Sequence, residues 1–74
     1  MILTGNELRS KREKLDLTQK TLAELLKKSF RTIQNWELKG NDELEYLDSI
    51  GLELFFDKQF TQLIEHNKAS NTKY

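Results

Sequence analysis

A chain of 74 residues makes one domain with a small core. It has no cysteine and no cluster of metal ligands, so helix packing, or a second copy, must hold it together. Its 12 Lys/Arg balance 12 Asp/Glu, no apolar run approaches the ~20 residues of a membrane span, and Met1-Ile2-Leu3 passes at once into polar residues, so neither a membrane segment nor a secretory leader is expected and the cytoplasm is the expected location.

Taken in chain order, the local signals predict an all-α fold of four to five helices. Thr4-Gly5-Asn6-Glu7 fits a capping box, with Thr4 as the cap and Glu7 reaching back to its amide. The first helix then runs to about Lys14, with Leu8 and Leu15 toward the core. Thr18 is an N-cap for a second helix over about residues 19–26. Lys27 and Lys28 make a turn, Ser29 caps a third helix to about Leu38, and Lys39-Gly40-Asn41-Asp42 breaks it, Gly40 suiting a left-handed stop. Leu44, Leu47 and Ile50 predict a fourth helix that ends at Gly51. Beyond it, Leu52, Leu54 and Phe56 alternate as in a short strand, while Leu52, Phe56, Phe60 and Leu63 recur at helical spacing; a helix over about 52–66 is preferred. The domain is expected over residues 1–66, with 67–74 as a flexible polar tail.

Residues 18–37, TQKTLAELLKKSFRTIQNWE, carry the functional signal. Leu22, Ala23 and Leu26 point one way from the first short helix, and Ile33 and Trp36 point back from the next. Gln19, Lys20, Lys27, Lys28, Ser29, Arg31, Thr32, Gln34 and Asn35 lie between them and suit phosphates and base edges. The pattern is a helix-turn-helix, about residues 18–38, in which one helix crosses the DNA backbone and the next enters the major groove. Charge agrees once the chain is divided. Residues 1–40 hold nine Lys/Arg and five Asp/Glu, a balance of +4; residues 41–74 hold three and seven, a balance of −4. The basic half would face phosphates and the acidic half would face away.

Thr18-Gln19, Leu22-Ala23, Ser29, Thr32-Ile33 and Trp36-Glu37 resemble the helix-turn-helix of the lambda-repressor/Cro-like (Xre) regulators over roughly residues 5–51. Two positions depart from that family: Lys27 stands where it has Gly in the turn, and Lys28 where it has an apolar residue. The resemblance implies that Gln19 touches the DNA backbone, helped by the amides and dipole of its helix start. It also implies that Phe30, Arg31 and Asn35 face the groove. Arg31 would read guanine or hold a phosphate, Phe30 would meet a thymine methyl or pack on the domain, and Asn35 would pair with adenine or stay solvated. Ser29, Thr32 and Gln34 flank these, and Lys20, Lys27, Lys28 and Lys39 are phosphate candidates. Arg12 and Glu37 match a paired position of the family and are expected to form an ion pair.

Other chemistry is poorly supported. The single histidine, His66, has Glu65 beside it, but adjacent helix residues do not face each other. No nucleophile elbow, phosphate loop or metal spacing is present, so neither an enzyme nor a cofactor is expected. Phe55, Phe56, Phe60 and Leu63 either finish the monomer core or form a dimer contact. Two functions remain. One is a double-stranded-DNA-binding regulator, a repressor on a two-fold operator as a homodimer. The other is a protein-interaction module on the same scaffold, such as an antitoxin bound to its toxin or a phage-encoded inhibitor.

Overall fold

The computed structural model describes residues 2–71, with side chains described through residue 62. Four helices follow in chain order: α1 (Gly5–Lys14), α2 (Gln19–Leu26), α3 (Phe30–Leu38) and α4 (Tyr46–Asn71). Each of the first three starts where a side-chain oxygen satisfies an orphan amide. Thr4 Oγ1 accepts from the Glu7 amide at 3.1 Å while Glu7 Oε1 accepts from the Thr4 amide at 2.9 Å, completing the expected capping box. Thr18 Oγ1 accepts from the Thr21 amide at 3.0 Å, and Ser29 Oγ from the Thr32 amide at 3.1 Å.

The turn between α2 and α3 closes on Lys27 in the left-handed conformation, φ 57° and ψ 41°. The amides of Lys27 and Lys28 donate to Glu24 and Ala23 carbonyls, at 3.2 and 2.9 Å, so the backbone keeps the tight turn despite the missing glycine. A side chain with a Cβ is strained there by roughly 1 kcal/mol. Lys27→Gly is therefore expected to raise the melting temperature by about 4–8 °C, read by thermal unfolding followed by circular dichroism. An unchanged or lower midpoint would show that the turn carries no such strain.

The core joins all four helices and the N-terminal strand-like segment. Leu3, Leu8, Leu22, Ala23, Ile33, Leu44, Leu52 and Phe56 are all buried, and Leu15, Leu17, Leu26 and Trp36 pack against them. Ala23 is the small residue of α2 in this cluster, and Ile33 faces it from α3. Leu3 is fastened to the start of α4 and the link before it: its amide donates to Ser49 Oγ at 2.7 Å and its carbonyl accepts from the Leu44 amide at 2.8 Å. Ser49 is 1% exposed, so this bond satisfies a polar group that burial would otherwise penalise. The start of α1 sits on the end of α3, with the Asn6 amide donating to the Gly40 carbonyl at 2.8 Å and Gly40 taking a left-handed φ of 60°.

The C-terminal part differs from the sequence expectation in two ways. Helix four does not stop at Gly51, and no separate helix or strand begins at residue 52; α4 is continuous from Tyr46 to Asn71. A single interior glycine costs a helix about 1 kcal/mol, and the burial of Ser49, Leu52 and Phe56 along one face on both sides of it outweighs that. The expected phase is also corrected. Leu47 is 79% exposed and Ile50 37%, because Ser49, Leu52 and Phe56 hold the inner face and Leu44 is buried just before the helix begins.

Phe56 is fully buried within the monomer and has no surface to offer a second copy, so its assignment to a dimer contact is corrected. Phe55 meets it edge to face at 5.4 Å, and Phe60 lies under the Lys11 ammonium at 5.9 Å; both are half-buried against the same core. Phe56 thus belongs to the monomer core, with Phe55 and Phe60 packed against it. The side chains of Leu63, Glu65 and His66 lie outside the described residues, as do residues 72–74 of the expected tail. Among the described residues no helix is long and apolar enough to cross a membrane.

Candidate nucleic-acid interface

The two helices of the motif are locked by apolar residues on their facing sides, which leaves their polar residues outward. Lys20, Lys28, Ser29, Phe30, Arg31, Gln34, Asn35 and Lys39 are all exposed. Thr32 is half-buried, and its hydroxyl lies 2.8 Å from that of Ser29, so these two serve the helix cap. Phe30 is 46% exposed at the first turn of α3.

Arg31, Gln34 and Asn35 stand at i, i+3 and i+4, one face of a helix. They line a cleft of about 690 Å³ together with Gln19 at the start of α2 and Arg9 on α1. Lys20, Ser29, Phe30, Thr32 and Lys39 are not among its walls. Lys28 lies elsewhere, on a smaller hollow of about 280 Å³ with Leu26, Trp36, Leu47, Gly51 and Leu52. Most of the expected contact residues therefore lie outside the walls of the cleft.

The base of the cleft is the expected ion pair. Arg12 meets Glu37 through both nitrogens of one guanidinium edge, Nε to Oε2 at 2.7 Å and Nη2 to Oε1 at 3.1 Å. Its remaining nitrogen, Nη1, donates to the Leu17 carbonyl at 2.7 Å. The side chains are 11% and 6% exposed, so this is a nearly buried pair with planar, bidentate geometry. The hydrogen bond to Glu37 raises the Arg12 pKa above its ordinary value, burial opposes it, and the Glu37 charge adds to the rise. Arg12 thus stays charged, and the pair ties α1, the α1–α2 link and α3 into one unit.

Gln19 belongs to this network. Its amide nitrogen donates to Glu37 Oε1 at 3.1 Å, and the residue is half-buried. One of its two N–H groups is thus engaged inside the protein, and the other with the amide oxygen remains for a ligand. Glu37 accepts from Arg12 and Gln19 together, so the carboxylate orients the first residue of α2.

Arg9 was missed by the reading of the motif because it lies outside residues 18–38. The signal that finds it is spacing: Arg9 and Arg12 are three apart on α1, so they share a face once Arg12 is committed to Glu37. Arg9 makes a loose helix pair with Glu13, Nε to Oε2 at 3.5 Å, with both side chains more than half exposed. Arg12 and Glu37 cancel, which leaves Arg9 and Arg31 as the cations lining the cleft.

Residues 8–41 match the family model described as Helix-turn-helix. This segment is thus similar to the Xre/lambda-repressor-like helix-turn-helix, a domain of DNA-binding transcription regulators. No curated protein and no solved structure matches the chain.

Proposed function

We propose that the chain is a sequence-specific double-stranded-DNA-binding regulator that represses by covering a two-fold operator as a homodimer. The observation that carries this reading is the outward face of α3, where Arg31, Gln34 and Asn35 line a cleft whose charged lining includes Arg9 and Arg31. A guanidinium and two amides on one helix face are the groups that pair with guanine and adenine edges in the major groove. Gln19, Lys20 and Lys39 would hold phosphates beside that face, Lys28 would reach one from its separate hollow, Ser29 and Thr32 would add their hydroxyls where the cap leaves them free, and Phe30 would meet a thymine methyl. Two copies would place their α3 helices about one DNA turn apart, ~34 Å.

A protein partner is the second reading, and one observation favours it. Leu47, Ile50 and Leu54 form an exposed stripe at i, i+3 and i+7 on α4, with Tyr46 beside it. A second copy would cover this stripe in the homodimer; a toxin would cover it in an antitoxin.

The test is salt-titrated binding to random duplex DNA, followed by selection of the operator and comparison of wild type with Arg31→Ala, with mass determined by light scattering. Binding should weaken steeply with salt. On the selected site Arg31→Ala should bind roughly 5- to 150-fold more weakly, and its discrimination at one base position should relax. A folded protein that binds no duplex at low salt would sink the DNA reading and leave the protein partner. A monomer mass, free and on the operator, would sink the homodimer alone.

A further inference from the structure

We propose that Arg9 of α1 is a DNA phosphate contact, so that α1 holds the DNA backbone beside the base edge that Arg31 of α3 reads and the helix-turn-helix does not hold the DNA alone; this rests on the DNA reading above. Arg9 and Arg31 come from different helices and line the same cleft. The charges between them are neutralised: Glu37 is closed by Arg12 at 2.7 and 3.1 Å and by Gln19 at 3.1 Å. Two guanidinium groups therefore border a cleft whose carboxylate is already spent on its own partners. An anion entering there gains from both cations and meets no free acidic group on the base.

Arg9 is available for this role. Its pair with Glu13 is 3.5 Å long, and the side chains are 62% and 57% exposed, so solvent and salt compete with it freely. Exchanging that carboxylate for a phosphate costs little, and a guanidinium matches two phosphate oxygens better than one distant carboxylate oxygen. The occupant is a nucleic-acid phosphate and not a free anion, because Gln34 and Asn35 line the same wall and their amides suit base edges. One backbone phosphate beside a base edge satisfies both sets of groups at once. The contact also has a structural consequence. Because α1 is tied to α3 through Arg12 and Glu37, a phosphate held by Arg9 would fix the angle at which α3 enters the groove.

The experiment measures affinity for random duplex DNA against salt concentration for wild type, Arg9→Ala, Arg9→Lys and Lys58→Ala. Lys58 is exposed on α4 and absent from the cleft, so its variant makes the same charge change away from the site. The expected result is that Arg9→Ala lowers the slope of log K against log[salt] by about 0.9 per bound subunit. Arg9→Lys keeps the slope and loses only the bidentate fit, seen as weaker binding at every salt concentration. Lys58→Ala behaves as wild type. If Arg9→Ala keeps the wild-type slope, or changes it no more than Lys58→Ala does, the Arg9 contact is overturned while the DNA reading stands. If wild type itself binds no duplex, the DNA reading falls and the Arg9 contact falls with it. Arg9 is exposed and alanine favours helix, so all four proteins should melt together.

Discussion

Glu37→Ala should destabilise the fold by about 3–5 kcal/mol, a large share of the stability a domain of this size can hold. The cost does not come from losing the attraction of a surface pair, which is worth little. It comes from leaving the Arg12 guanidinium, 11% exposed, with the Leu17 carbonyl as its remaining described partner. The Gln19 amide loses its acceptor as well. Urea denaturation checks the magnitude. A paired control decides the cause: replacing both partners with apolar residues, Arg12→Met with Glu37→Leu, should cost far less than the single change, because no charge is left buried. A single variant that melts with wild type would show that solvent reaches the pair freely.

Gly5→Ala should also destabilise, by about 1–3 kcal/mol, although helix propensity alone predicts a gain near 1 kcal/mol. A Cβ on Gly5 would stand 2.5 Å from the Trp36 carbonyl oxygen, 2.8 Å from the Gly40 amide nitrogen and 3.0 Å from the Glu37 carbonyl oxygen. All three are backbone atoms, so no side chain can swing aside, and α1 would have to lift off the end of α3. Gly51→Ala supplies the contrast. A Cβ there meets nothing within 4 Å, so the propensity gain should appear in full. Thermal unfolding of both variants should move the midpoints in opposite directions. Two shifts of the same sign would mean that α1 has room to move on α3.

The helix starts were legible because each is a local event. Thr4, Thr18 and Ser29 each bond an amide three residues on, within reach of the chain itself. The Arg12–Glu37 pair spans 25 residues and was reached only through the resemblance. The same resemblance placed Arg31 and Asn35 on one face, and their spacing alone supports that. Gln19 was legible as a polar start of α2, but its bond to Glu37 was not, because that depends on where α3 ends beside it. Arg9 stayed hidden because it lies before the motif and reads as one more solvated charge.

The C-terminal half was the hardest to read. Gly51 looks like a stop, and Leu44, Leu47 and Ile50 look like the inner face of a helix before it. Local chemistry cannot say which of two apolar faces will be inward, since a glycine is tolerated or not by a margin of about 1 kcal/mol. Phe56 and Leu52 decide it by filling the space left by Leu8, Leu22 and Ile33, and Leu47 and Leu54 are then turned outward. The caps, the all-α class and the polar face of the motif were written in the sequence, because these follow from bonds within a few residues; the left-handed backbone at Lys27 was not, because a lysine disfavours it and the packing of α2 on α3 imposes it. Only the tertiary structure decided the phase of α4, the closeness of Gly5 to α3 and the joining of Arg9 to the cleft. Those depend on packing between segments far apart in the chain, where the better-filled interior wins over local preference.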